Sequence, residues 1–149
     1  MYTYDSLLEA IAPKSGETRD LFDPATGELI GKAPVNTAAD VDSAIDTAVA
    51  HQASWAGLSN EDRVAYLHKA AEAVEANSEA LVGILSREQG KPLNGPNARF
   101  EVGACVTWLR VTADTPLPVE TVIDDGDTFA EMHYRPLGTV GAITPGTGR

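Results

Sequence analysis

The run Gly138-Thr139-Val140-Gly141-Ala142-Ile143 constrains this chain more than any other stretch. It is short, small-residued and apolar without alternation, the pattern of a strand buried on both faces of a parallel sheet. Such a strand needs neighbouring strands and covering helices, so the fold class expected is α/β. A helix predicted over about residues 97–113 makes a similar demand. Val102, Cys105, Val106 and Leu109 form one of its stripes, and Phe100, Ala104 and Trp108 form another. A helix apolar on two faces is normally covered on two sides. The sequence ends four residues after Pro145, so the strand is expected to lack later neighbours. Dye binding and self-association through these surfaces are expected of the isolated chain.

The rest of the chain is punctuated by local signals. Residues 1–15 suggest one helical turn near Leu7 and Leu8. Asp23-Pro24 suits the start of a turn, and Gly27 supplies the positive φ that continues residues 21–30 as a hairpin. Thr37-Ala38-Ala39-Asp40 fits a helix start, followed by Val41, Ala44, Ile45, Ala48 and Val49 at helical spacing. Ser59-Asn60-Glu61-Asp62 opens a second helix with Val64, Leu67, Ala71 and Val74 as its apolar stripe. Ser78 is read as the cap of a third, which turns Leu81, Ile84 and Leu85 inward and stops at Gly90, before Pro92. A second hairpin is predicted from Val119–Asp124 and Thr128–Arg135 through Asp125-Gly126, with Ala130, Met132 and Tyr134 on its drier face.

Composition narrows the function classes. The 149 residues are 43% apolar and 22% charged, an ordinary globular balance. Acidic residues outnumber basic ones by 22 to 11, and a net charge of −11 opposes non-specific contact with nucleic acid or anionic membranes. One cysteine permits no intramolecular disulfide. No apolar run reaches the ~20 residues that span a bilayer, and the first 15 residues lack the pattern of a signal peptide. A cytoplasmic protein is expected.

In order and spacing these units resemble the aldehyde dehydrogenase superfamily. The resemblance is carried by Asp23-Pro24-Ala25-Thr26-Gly27-Glu28, Ala39-Asp40-Val41-Asp42-Ser43-Ala44, Trp55 and Glu88-Gln89-Gly90-Lys91-Pro92-Leu93. It is strongest in Arg135-Pro136-Leu137-Gly138-Thr139-Val140-Gly141-Ala142-Ile143-Thr144-Pro145. It implies a Rossmann-like cofactor domain, a catalytic domain and a β-hairpin arm used in oligomerisation. On that template residues 1–17 are a lead-in and 18–118 the N-terminal helical part of the cofactor domain. Residues 119–136 are the arm, and 137–149 hold the first sheet strand, cut short.

The activity implied for a full-length member is NAD- or NADP-dependent oxidation of a small-molecule aldehyde to a carboxylic acid. A cysteine thiolate adds to the carbonyl, hydride passes to nicotinamide, and a glutamate-activated water hydrolyses the thioester. Where the family pattern continues Trp-Asn-x-Pro, this sequence has Gly146-Thr147-Gly148-Arg149. The oxyanion asparagine, the general-base glutamate and the nucleophilic cysteine are absent from these residues. The chain is therefore expected to be an inactive N-terminal portion of a longer enzyme. Loss of one nucleotide from the Trp codon would read as Gly-Thr, so a frameshift is one expected origin of this ending. The alternative expectation is an interaction module, pairing through its hairpin arm with a full-length paralogue.

Each candidate site residue has a plain reading beside the chemical one. Cys105 sits mid-helix among Val102, Val106 and Leu109, where a buried, inert thiol is expected rather than a nucleophile. Ile143, Thr144 and Pro145 are implied by the resemblance to line the cofactor's adenosine side. Glu88 is implied as a monovalent-cation ligand, with backbone carbonyls near Leu21 and Phe22, against the plain reading of an exposed helix-end glutamate. Gly146-Thr147-Gly148 imitates a phosphate loop but has no helix start behind it. His51, His68 and His133 show no ligand spacing, and Trp55 and Trp108 are expected to pack in a core or interface.

Overall fold

The computed structural model describes residues 1–12 and 16–144. Helix α1 spans Tyr4–Ile11, longer than the single turn expected. Its start explains the difference: Thr3 Oγ1 accepts from the Ser6 amide at 3.2 Å and Ser6 Oγ accepts from the Thr3 amide at 2.9 Å. This reciprocal cap satisfies two amides that a helix start otherwise leaves open. Strands β1 (Thr18–Phe22) and β2 (Leu29–Pro34) then pair antiparallel. As predicted, Gly27 takes a positive φ, +76°, in the turn between them.

Three long helices and one shorter one follow. Helix α2 (Ala38–Ala56) starts on a capping box between Thr37 and Asp40, and α3 (Asn60–Ala76) on Ser59, whose side chain accepts from the Asp62 amide. Helix α4 (Ser78–Gln89) corrects the expectation for Ser78, which is its first residue rather than its cap. Asn77 holds the cap position but makes no capping bond there, because its Oδ1 accepts from the Tyr2 amide at 2.6 Å. Gly90 ends α4 with φ +67°, as the sequence predicts. Helix α5 runs Ala98–Asp114, and strands β3 (Glu120–Asp124) and β4 (Phe129–Met132) form the second hairpin.

The core lies where α3, α4 and α5 meet. Val82, Ala98 and Val102 are buried together, with Val74, Leu81 and Leu85 packed against them. Helix α1 lies on α4, and its Leu8 fills the space over Gly31 of β2. The predicted stripe of α3 is partly realised, with Ala71 fully buried. The stripe of α2 is not: no residue of α2 is buried, and Val41, Ile45 and Val49 stay exposed. In the second hairpin all of β3 is exposed and only Ala130 of β4 is partly covered, so the expected drier face does not form.

Residues 138–143 correct the strongest expectation of the sequence. They form no strand and are exposed throughout. A parallel strand exists only when its N–H and C=O groups meet a neighbour. The described strands close on themselves as two separate two-stranded hairpins, and neither pairs with this segment. The total accessible surface, 11155 Å², far exceeds the roughly 7,300 Å² expected of a compact chain of this mass. Thin burial also marks α2, which buries nothing, and β3, which is exposed throughout.

Candidate functional site

An apolar hollow of about 420 Å³ opens between α3, α4 and α5. Leu81, Ile84 and Leu85 of α4 and Val102 of α5 form its walls, with Glu88, Glu101 and Cys105 at the same site. Cys105 is exposed, which overturns the expected burial. Val102 and Val106 take the face of α5 that meets the other helices. Cys105, three residues on from Val102, is turned to the edge of that face, where nothing described covers it. Its surroundings are wrong for a nucleophile. The ionisable groups sharing the hollow are carboxylates, whereas a reactive thiolate needs a cationic neighbour or a helix N-terminus.

Glu88 is exposed near the end of α4. It also lines a smaller hollow of about 160 Å³ with Leu21 of β1, so the structure brings together the two regions implied for a cation. Lys32 borders the same hollow, with its ammonium 2.8 Å from Asp20. Among the described residues no cluster of three or more His, Cys, Asp or Glu side chains is arranged to hold a metal. Ile143 and Thr144 are exposed, Ile143 almost completely at 99%. Pro145 and Gly146-Thr147-Gly148-Arg149 lie outside the described residues.

The histidines stay apart. His51 Nδ1 sits 2.8 Å from the Thr47 carbonyl, His68 Nε2 is 2.9 Å from Asp114, and His133 Nε2 is 3.0 Å from Glu131. Trp55 is exposed and meets Tyr66 in a tilted contact with ring centroids 5.9 Å apart. Trp108 is 68% exposed, so of the core or interface packing expected for the tryptophans the core half is not met.

Sequence reasoning missed a polar cluster built around Arg87. Its Nε donates to Asp23 Oδ2 at 3.2 Å, Nη1 to the Tyr4 hydroxyl at 3.1 Å and Nη2 to Glu28 Oε2 at 3.4 Å. Asp23 is buried, and its Oδ1 accepts from the Ala25 amide at 2.9 Å. That amide, more than the Arg87 guanidinium, holds the Asp23 carboxyl below its usual range. The Asp23-Pro24-Ala25-Thr26-Gly27 turn was legible; its partner on α4 was not.

Comparison with known proteins decides the family. The profile of the aldehyde dehydrogenase family matches residues 11–145. The chain belongs to that family. Aldehyde dehydrogenase B of Escherichia coli is 33% identical over 146 residues, covering 95% of this chain and 28% of the relative. Acetaldehyde dehydrogenase 2 of Cupriavidus necator is 34% identical over 137 residues, covering 91% and 27%. A succinate-semialdehyde dehydrogenase structure from Burkholderia pseudomallei matches with a TM-score of 0.68 at 34% identity, over 78% of this chain and 24% of that one. Aldehyde dehydrogenase 21 from Physcomitrella patens gives a TM-score of 0.68 at 27% identity, over 77% and 24%. The chain therefore spans about a quarter of the length of these relatives. Its mix of helices and small strands is a partial aldehyde dehydrogenase α/β fold.

Proposed function

We propose that these residues are the N-terminal segment of an NAD(P)-dependent aldehyde dehydrogenase and do not by themselves oxidise an aldehyde. The observation that carries this reading is Cys105. The sole cysteine stands mid-helix beside carboxylates, and no other side chain here can form the thiohemiacetal of the family's reaction. This reading also gives the described residues no complete dinucleotide site. Ile143 and Thr144 are exposed with no ladder holding them, and no glycine loop leads from them into a described helix N-terminus. The substrate class, an aldehyde, is the family's.

Residues 18–118 serve in this reading as the helical part of the cofactor domain and 119–136 as the arm, while 137–149, with no strand formed over 138–143, follow the arm where the family's first sheet strand begins. Glu88 remains the candidate cation residue, supported by the hollow it shares with Leu21. The protein is assigned to the cytoplasm. The single cysteine agrees with that, and among the described residues no helix is long and apolar enough to cross a membrane. The test is a spectrophotometric assay of the purified chain with short aldehydes and NAD or NADP. No reduced cofactor above the buffer rate is expected. Saturable production that survives Cys105→Ala overturns the reading.

A second reading is favoured by the β3–β4 hairpin, whose strands are almost wholly exposed. Open strand edges recruit partners, so the chain pairs with a full-length aldehyde dehydrogenase as a non-catalytic subunit. Mixing with such an enzyme and sizing the product distinguishes this from self-association.

A further inference from the structure

The ion pairs of this chain are unevenly placed. Lys91 pairs with Glu101, Arg99 with Glu79, Arg110 with Glu75 and His68 with Asp114, all within the unit formed by α3, α4, α5 and their connections. Lys32 pairs with Asp20 inside the first hairpin. Among the described residues only Arg87 joins residues 1–34 to the helices through ion pairs, to Asp23 and Glu28. It also donates to Tyr4 and stacks over that ring at 5.4 Å from its centroid. The other ties are small. Among them are the packing of α1 along α4, the Tyr2 amide on Asn77, the Tyr4 ring against Gly83 and the Pro24 ring against Gly90.

We propose that α1 and the β1–β2 hairpin form one detachable flap, latched to the α3–α4–α5 body by Arg87, and that losing the latch opens the flap while the body stays folded. Each half has internal contacts of its own. In the flap Leu8 packs over Gly31 and β1 pairs with β2; in the body Val82, Ala98 and Val102 are buried together. The Arg87 fork suits this task because its planar head serves acceptors from both flap elements at once. An opened flap carries away the hollow that Leu8, Leu21 and Gly31 line, and parts it from Glu88 of α4.

Hydrogen–deuterium exchange on the full chain reads flap and body separately. In Arg87→Met, which removes the hydrogen bonds to Asp23, Tyr4 and Glu28, amides of residues 4–11 and 18–34 are expected to exchange at least about tenfold faster, with α3 and α5 unchanged. Arg87→Lys is expected to lie between, since an ammonium keeps the charge but not the fork. Asp23→Asn, which leaves every body side chain intact, must accelerate the same two segments. Equal acceleration of flap and body in either Arg87→Met or Asp23→Asn overturns the latch, because the two would then be one cooperative unit. Unchanged exchange over 4–34 overturns it as well.

Discussion

Helices α2 and α5 are a matched pair with opposite fates. Both are long, at 19 and 17 residues, and both carry apolar side chains at helical spacing. Helix α5 buries Ala98, Val102, Val106 and Ala113, whereas α2 buries nothing. The better-capped helix is the unburied one: α2 has a full capping box, while Asn97 at the start of α5 makes no side-chain cap. Capping and periodicity therefore decide that a segment is helical, and packing decides separately whether it joins the core. Within α5 the same split recurs, with Val102 buried and Phe100 and Trp108 open.

The largest expected effect breaks this comparison directly. Val102→Asp places an uncompensated charge at a site 8% exposed, and a loss of at least about 3 kcal/mol is expected. The cooperative melt of α3–α5 should vanish. Ile45→Asp on α2, at a site 49% exposed, is expected to stay within about 0.5 kcal/mol. Equal effects in denaturant titration would show that α2 is packed after all.

Next come two turn glycines with different surroundings. Gly90 has φ +67°, and a Cβ added there would meet Pro24 at 2.8 Å. Gly126, in the β3–β4 turn, has φ +88° and open space around it. Alanine at either position carries the left-handed cost of about 1 kcal/mol, and Gly90→Ala should add about another from displacing Pro24. If the two variants melt alike, the hairpin turn is not seated on α4 as described.

A smaller effect is expected at the cap of α2. Thr37→Ala should cost that helix about 1 kcal/mol, read as faster amide exchange over 38–44 with the body unaffected. Acid tests the same box. The Thr37 amide, then its hydroxyl, hold the Asp40 carboxyl below its ordinary 3.8. A depressed carboxylate contributes stability that is complete above the unfolded value and lost as pH falls through the folded one. The start of α2 should accordingly fray below about pH 4, and Asp40→Asn should remove that dependence.

The smallest stability change, with a clear surface effect, is expected for Phe100→Ser combined with Trp108→Ser. Both side chains are over 60% exposed, so stability should shift by less than about 0.5 kcal/mol. Binding of a hydrophobic dye and self-association should fall. Undiminished dye binding would move the sticky surface to α2 or to residues 137–143.

What the sequence showed well is what a few neighbouring residues settle. Thr37, Ser59, Gly27 and Gly90 each fix a start or a turn through bonds or φ angles spanning at most a few positions. The Thr3–Ser6 cap is equally local, but neither residue stands before a clear apolar stripe, so the sequence predicts only one turn where α1 runs Tyr4–Ile11. Arg87 was out of reach, since its acceptors Asp23 and Glu28 lie 64 and 59 residues away. Cys105 shares a stripe with Val102 and Val106 yet is exposed, because a stripe says which side chains share a face, not how far its neighbours cover that face.

The sequence by itself determined the order of the elements, most of their boundaries and, through motifs from Asp23 to Pro145, the family. Those properties follow from local hydrogen bonding and from residue identities in series. Only the tertiary structure decided that α3, α4 and α5 form the core, that α2 and the second hairpin stand outside it, and that residues 138–143 form no strand. Burial and strand pairing depend on which surfaces are present to meet, and no stretch of sequence contains its own partner.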